Sequence, residues 1–149
     1  MVSQNCKTQN TPLTLRVIPE QFQKYNDTPA AICLGIYFLG GIFYVFQLLF
    51  MTETWLAGEE IGPEAIGVAR VLGFAFLGYN VGLIWTYVNG PDGQKIYFIS
   101  LLVAQIGTLL NIWHQHLFAE KMTLLDDAII VSVLTAFLLI GYLRIRSRL

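Results

Sequence analysis

Residues 30–51 read AAICLGIYFLGGIFYVFQLLFM, an apolar stretch without a single charged side chain. A hydrocarbon layer about 30 Å thick needs about 20 residues of α-helix to cross it, so this stretch is long enough to span a membrane. Asp27 and Thr28 precede it as helix-cap candidates, and Pro29 suits a first helical turn. The sequence therefore predicts a first transmembrane helix here.

Three further apolar stretches follow the first, at about residues 62–88, 96–118 and 125–143. Asp126 and Asp127 stand in the first turn of the fourth stretch, where a helix dipole favours anions. Residues 89–93, Asn-Gly-Pro-Asp-Gly, form a dense turn signal and predict a tight antiparallel hairpin between the second and third spans. The pattern predicts an all-α, four-helix membrane bundle over residues 29–144.

The composition agrees with a membrane protein. The chain has 149 residues, of which 55% are hydrophobic and 13% charged, and its mean hydropathy is +0.58. Soluble domains carry about 25% charged residues, so a soluble enzyme, a disordered chain and a disulfide scaffold are all disfavoured. The net charge of −1 provides no field to attract nucleic acid. Cys6 and Cys33 form no metal-binding or redox spacing and are interpreted as structural thiols.

The few charges predict an orientation. Basic residues gather in the N-terminal tail, the middle turn and the C-terminus: Lys7, Arg16, Lys24, Lys95, Arg144, Arg146 and Arg148. The loops at 51–61 and 119–125 are acidic. By the positive-inside rule both termini lie in the cytoplasm, and an even number of spans agrees with this. The sequence predicts a bacterial cytoplasmic (inner) membrane, or an equivalent energy-transducing membrane, as the location.

The two ends of the chain are polar. Residues 1–28 contain no continuous apolar core followed by a small-residue cleavage site, so a cleaved signal peptide is not expected. Apolar residues between 13 and 25 alternate with polar and basic ones, which is consistent either with an interfacial segment on the inner headgroups or with a disordered tail. Residues 145–149 form a short basic tail.

The second span has small residues on two faces when positions are placed about 100° apart. One face carries Ala65, Ala69, Gly73 and Asn80, and the other carries Gly67, Ala75, Gly78 and Gly82. Small residues let helices approach closely in lipid. We therefore expect the second span either to lie centrally or to pack one face against a partner, which is another membrane protein subunit or a second copy.

One charge, Arg70, falls well inside a span, where it is costly unless it pairs or reaches the interface. Polar residues of the other spans are expected at a similar depth near the outer side. We call this set the outer-leaflet polar cluster: Gln47, Glu53, Arg70, Asn111, His114, Gln115, His116, Asp126 and Asp127. Tyr37, Tyr44 and Gln47 either line the same cavity or are core groups bonded across helices.

The cluster has three interpretations. It is a structural staple, in which Arg70 pairs with an acid while Asn111 and His114 complete the bonding, so that Arg70→Leu is poorly tolerated. Alternatively, it binds a quinone, a lipid head group or another amphipathic molecule through Arg70, Asn111, His114, Gln115, Gln47 and Tyr44. A metal site of His114, His116 and an acid is disfavoured, because residues two apart on a helix point about 200° apart. Haem is disfavoured too, since the chain has only these two histidines.

Known catalytic motifs, such as Gly-x-Ser-x-Gly and His-Glu-x-x-His, are absent from the sequence, and no cofactor is indicated. From Pro63-Glu64-Ala65 through Ala69-Arg70-Val71-Leu72-Gly73 to Leu77-Gly78, the chain resembles the small four-helix bacterial membrane proteins of the DoxX-like type. That resemblance implies a four-helix fold and an accessory role beside redox or quinone-linked membrane complexes. The leading hypothesis is a non-catalytic accessory or assembly subunit, and the alternative is a ligand-binding or redox-linked membrane protein.

Overall fold

The structure is a computed structural model that describes residues 25–118 and 124–149. It contains five α-helices: α1 (Thr28–Phe50), α2 (Thr52–Gly58), α3 (Ile66–Asn89), α4 (Lys95–Phe118) and α5 (Leu125–Ile145). One 3-10 turn, Pro63–Ala65, leads into α3. Within these ranges there is no β-strand. The predicted interfacial or disordered segment before residue 25, and the loop residues 119–123, lie outside the described residues.

The prediction of an all-helical chain with four long apolar helices is confirmed. With the 3-10 turn counted into α3, each of the four is 21 to 27 residues long and apolar enough to cross a membrane. Their ends lie within about two residues of the predicted spans. Large apolar side chains cover the outside of the bundle, for example Phe50, Val68 and Ile96, which are at least 73% exposed. Such an outer surface belongs in lipid, and the chain is a multi-pass membrane protein.

The first long helix begins at a capped end. The carboxylate of Asp27 accepts a hydrogen bond from the backbone N–H of Ala30 at 2.9 Å, and Pro29 occupies the first turn.

After the first long helix, the sequence predicted only a loop at 51–61, but the structure forms the short helix α2 there. Leu56 of α2 is buried and packs with Leu48 and Ala69. The segment folds back onto the bundle because this removes the Leu56 side chain from water.

The long helices pack in the order α3–α1–α5–α4. The α1–α5 contact is close because glycines make room for leucines. A Cβ at Gly40 would lie 2.5 Å from Leu134, and one at Gly141 would lie 2.7 Å from Leu34. Both α1 and α5 therefore contact two long neighbours extensively. The expectation that the second span, α3, lies centrally is wrong, since α3 packs extensively only on α1 among the long helices.

A buried polar chain links three helices at mid-height. The Tyr37 hydroxyl of α1 donates to Gln105 Oε1 of α4 at 3.0 Å, and Gln105 Nε2 donates to Thr135 Oγ1 of α5 at 3.0 Å. Thr135 Oγ1 in turn donates to the Val131 carbonyl at 2.7 Å. Polar groups in the hydrocarbon region are costly unless they are satisfied internally. This chain satisfies them and ties α4 to the rest of the bundle.

Both described chain ends and the α3–α4 turn lie at one end of the bundle, which we call the terminal end. Asp27 pairs with Arg144 at 2.9 Å and Asp92 pairs with Arg148 at 2.6 Å. The hydrogen bonds from Arg144 and from Ala30 hold the pKa of Asp27 below its usual range. Tyr25 is fully buried against Thr86, and this burial raises its pKa to about 12. The opposite end, with α2 and residues 59–65, is the loop end.

The third and fourth helices follow the predicted turn but do not form a tightly packed hairpin. Gly90 and Gly93 adopt φ angles of 93° and 75°, which glycine accommodates without strain. Beyond the turn, α3 and α4 make no extensive contact. The ring of Tyr97 lies over Gly82, and its hydroxyl donates to the Tyr79 carbonyl at 2.6 Å. This aromatic ring fills the space between the two helices at this level and connects them through its hydroxyl.

Candidate functional site: a cavity within the bundle

A cavity of about 190 Å³ lies among the four long helices, between the middle of the bundle and the loop end. All four contribute to its wall, and α2 and the following segment add two apolar residues. The wall consists of Tyr37, Gly41, Tyr44, Leu48, Trp55, Ile61, Leu72, Phe76, Tyr79, Asn80, Gln105, Thr108, Asn111, Ile112, Gln115, Leu124, Asp127, Val131 and Leu134. Ligand sites in helix bundles have this composition, mainly apolar with a few polar groups.

The size of the cavity limits what it can hold. A dry cavity of about 150 Å³ lined by apolar residues is known to bind benzene, so 190 Å³ suits one or two fused rings. Leu72 of α3 is 43% exposed and Asn111 of α4 is exposed, although both line the cavity. Wall residues of α3 and α4 therefore also reach the outer surface of the bundle, where these two helices make no extensive contact.

Asn80 is the most deeply buried polar residue of the wall. It is 4% exposed, and its Nδ2 donates to the Phe76 carbonyl of its own helix at 2.8 Å. Its amide lies flat against Gly41, where a Cβ would come within 2.7 Å of both amide atoms. The Oδ1 atom is buried and accepts no hydrogen bond. An unsatisfied acceptor inside a membrane protein is energetically unfavourable, so Asn80 marks a place for a donor.

A second polar group lies toward the loop end of the cavity. The Tyr44 hydroxyl donates to Asp127 Oδ1 at 2.9 Å, which joins α1 to the first turn of α5. Asp127 is half-buried. It is the only charged residue among the described wall residues, which include no lysine, arginine or histidine. The wall is therefore neutral at depth and acidic toward the loop end.

Three of the six predicted ligand-binding residues lie in the wall: Tyr44, Asn111 and Gln115. Gln115 Nε2 donates to Asn111 Oδ1 at 3.5 Å, one turn apart on α4. Gln47 is partly buried and is not part of the wall, and its Oε1 accepts no hydrogen bond. The structure thus brings part of the outer-leaflet polar cluster together around a common space.

Arg70 and His114 are placed elsewhere. Arg70 is exposed on α3 and forms no hydrogen bond or ion pair with residues 25–118 or 124–149. Within those ranges the predicted staple is not formed, since Asp127 accepts from Tyr44 instead. The reason is angular: Arg70 stands two residues before Leu72, which lines the cavity, and is therefore about 160° away around the helix. His114 is exposed and contacts Phe118, with ring centroids 5.0 Å apart.

The predicted packing residues of α3 have different surroundings. Ala69 and Gly73 are buried, and Gly73 meets Leu48 and Leu49 of α1. Ala65 packs against the same region from the 3-10 turn. On the other predicted face, Gly82 lies under Tyr97, but Gly67 and Gly78 have open space around them. This second face of α3 thus has a covered part at the terminal end and an open part elsewhere.

His116 contacts Trp113, with ring centroids 5.9 Å apart. In the described part of the chain no three His, Cys, Asp or Glu side chains gather as a metal site would require. The sequence assigned Asn80 to a packing face and missed it as a site residue. The sequence did contain a signal for this role, because Asn80 is the one amide on a helix face that otherwise carries small residues.

Comparisons of the chain with protein-family models, with curated proteins and with solved structures find no match. The geometry of the cavity and the chemistry of its wall are therefore what bear on function.

Proposed function

We propose that this protein binds a small amphipathic molecule, of the lipid or quinone class, inside the membrane and does not transform it chemically. The observation that carries the proposal is the cavity of about 190 Å³ with polar groups in a largely apolar wall. The exposure of the wall residues Leu72 and Asn111 on the two sides of the α3–α4 gap supports entry from the lipid phase. The described wall residues include no serine, cysteine, lysine or histidine, and the one hydroxyl bonded to a carboxylate, that of Tyr44, serves to join two helices. This composition favours binding over catalysis.

Filling the cavity tests this function. Ile112 lines the cavity, whereas Ile106 lies on the same helix outside the wall and is 40% exposed. We expect Ile112→Trp to abolish binding of naphthalene by the purified protein, because the indole occupies the space. Ile106→Trp adds the same group to the outer surface and keeps binding. Naphthalene binding is measured by equilibrium dialysis at a fixed detergent concentration, so that partitioning into micelles cancels between variants.

Native mass spectrometry of protein from its own membranes provides a second readout. We expect a bound small molecule in the wild type and in Ile106→Trp, and none in Ile112→Trp. A wild-type protein that carries no such molecule and does not bind naphthalene contradicts the proposed function. Equal binding by the two tryptophan variants contradicts the assignment of the site to this cavity.

We further infer that the terminal end faces the cytoplasm, in a bacterial inner membrane or a comparable energy-transducing membrane. The support is the charge difference between the ends: Lys95, Arg146 and Arg148 at one, Glu60 and Asp126 at the other. With Cys6 and Cys33 replaced by serine so that only the introduced thiol reacts, Glu60→Cys in intact cells is expected to react with a membrane-impermeant maleimide. Lys95→Cys is expected to react only after permeabilisation, and the reverse pattern excludes this orientation.

A second candidate is an accessory subunit that packs against another membrane protein or a second copy. It is favoured by the open part of α3, where Gly67, Ala75 and Gly78 are exposed, since small residues allow close helix packing in lipid. The resemblance to DoxX-like proteins is consistent with this role.

The accessory role is tested by adding a side chain to that face. Gly78→Ile is expected to prevent co-purification with the partner in mild detergent. Gly107→Ile is the matched control, because Gly107 on α4 also has open space around it. Recovery of the wild type only as a free monomer from native membranes argues against the accessory role.

A further inference from the structure

The charge of the cavity wall limits the class of molecule that can bind. Asp127 is the one charged residue among the described wall residues, and one of its oxygens already accepts from Tyr44. A carboxylate or phosphate drawn into this space would lose its hydration, find no cation and approach Asp127. A cation placed deep in the cavity would lie among neutral groups. The wall therefore favours an uncharged molecule.

The hydrogen-bonding groups at depth narrow the class further. Asn80 Oδ1 is a buried acceptor without a donor, and its own Nδ2 is already engaged with Phe76. Gly41 packs against one side of the amide, and Asn80 also lines the cavity, so a molecule bound there lies next to this residue. The neighbouring Tyr79 also lines the cavity, and its hydroxyl has no hydrogen-bond partner within residues 25–118 and 124–149. The two residues together offer an acceptor and a phenolic O–H.

A hydroxyl group matches both, because one O–H donates a hydrogen bond while its oxygen accepts another. A ketone or an ether accepts only and leaves Asn80 Oδ1 unsatisfied. Apolar side chains of Leu72, Phe76 and Ile112 line the rest of the space. We propose that the molecule bound in the cavity is an uncharged alcohol or phenol, whose hydroxyl donates to Asn80 and accepts from Tyr79. This inference rests on the proposed binding function.

The test compares four probes of nearly equal size on the full-length purified protein: naphthalene, 2-methoxynaphthalene, 2-naphthol and 2-naphthoate. Dissociation constants are measured by equilibrium dialysis at one detergent concentration. We expect wild type to bind 2-naphthol about tenfold more tightly than 2-methoxynaphthalene, the size of one well-made buried hydrogen bond. We expect 2-naphthoate, the anion, to bind more weakly than naphthalene.

The variants locate the effect. Asn80→Leu is expected to remove the preference for 2-naphthol over its methyl ether. Asn89→Leu is the matched control, since Asn89 also donates from Nδ2 to a carbonyl four residues earlier, Trp85, but lies away from the cavity. Tyr79→Phe keeps the ring but removes the hydroxyl. It is expected to lower the affinity for 2-methoxynaphthalene to that for naphthalene. Because this change is conservative, it tests the site even where Asn80→Leu does not fold.

The outcomes separate the inference from the proposed function. No binding of any of the four probes by wild type contradicts the proposed function itself. Equal binding of 2-naphthol and its methyl ether, or tightest binding of 2-naphthoate, overturns the inference and leaves a binding cavity in place. A preference for 2-naphthol over its methyl ether that survives Asn80→Leu overturns it as well, and so does 2-methoxynaphthalene binding that Tyr79→Phe leaves unchanged.

Discussion

The two sides of the bundle are built on opposite principles. Along the α1–α5 contact, Gly40 and Gly141 leave room for Leu134 and Leu34, and the helices approach closely. Between α3 and α4, the ring of Tyr97 fills the space at Gly82, and the space nearer the loop end remains as the cavity. Small residues opposite large ones close a contact in lipid, where packing drives helix association. The α1–α5 side is therefore closed, and the α3–α4 side is left partly open.

The largest effect is expected at the closed side. Gly141→Leu places a side chain where a Cβ already lies 2.7 Å from Leu34 and 3.6 Å from the Ala30 carbonyl. We expect it to lower the free energy of unfolding by about 3 kcal/mol, or to prevent folding. Gly107→Leu on the open surface of α4 is the control. Denaturation in mixed micelles measures both, and equal stability of the two variants shows that the α1–α5 contact is not close-packed.

The polar chain across the bundle is expected to have the next largest effect. Gln105→Leu leaves the Tyr37 hydroxyl and Thr135 without their partner, which costs about 1–3 kcal/mol of unfolding free energy. Adding Tyr37→Phe removes one of the stranded groups and is expected to recover part of the loss. A double variant that is less stable than Gln105→Leu alone contradicts this description of the chain.

The open side should tolerate added volume. Thr108 lines the cavity and donates only to the Ala104 carbonyl of its own helix, at 2.9 Å. We expect Thr108→Leu to change the free energy of unfolding by less than about 1 kcal/mol, while it reduces naphthalene binding. A loss as large as that of Gly141→Leu indicates that the gap between α3 and α4 is tightly packed.

A smaller, pH-dependent effect is expected at the terminal end. The pKa of Asp27 is lowered by Arg144, so its ion pair contributes stability above the unfolded-state pKa of about 4. This contribution is lost as the pH falls through the lower, folded-state pKa. The substitution Asp27→Asn keeps a capping oxygen but removes the charge, so we expect the variant to be less thermally stable than wild type at pH 7 and to converge with it in acid. A constant difference at all pH values contradicts the assignment.

The smallest effect is expected at Arg70. Because it is exposed and unpaired within the described residues, Arg70→Leu should change the unfolding free energy by less than about 0.5 kcal/mol. This is the opposite of what the staple hypothesis predicts. Melting in detergent decides between them, since early melting of Arg70→Leu restores a structural role for this residue.

Much of the fold was predictable because it depends on one-dimensional properties. The hydrocarbon thickness requires a certain run of apolar residues, so the spans could be placed to within about two residues. The turn-forming residues Asn-Gly-Pro-Asp-Gly at 89–93 predicted where α3 ends and α4 begins. The depth of polar residues could be predicted as well, and Tyr44, Asn111 and Gln115 do line one space.

The direction in which each residue points was decided by tertiary structure. Arg70 and Leu72 lie at almost the same depth, yet packing of Ala69 and Gly73 on α1 turns Leu72 to the cavity and Arg70 outward. The role of Asn80 likewise depends on Gly41 of another helix. Sequence by itself determined how many helices cross the membrane and where, because the bilayer acts on each helix separately. Which faces meet, and where a cavity opens, depends on the relative rotation of four helices and is decided only when they pack together.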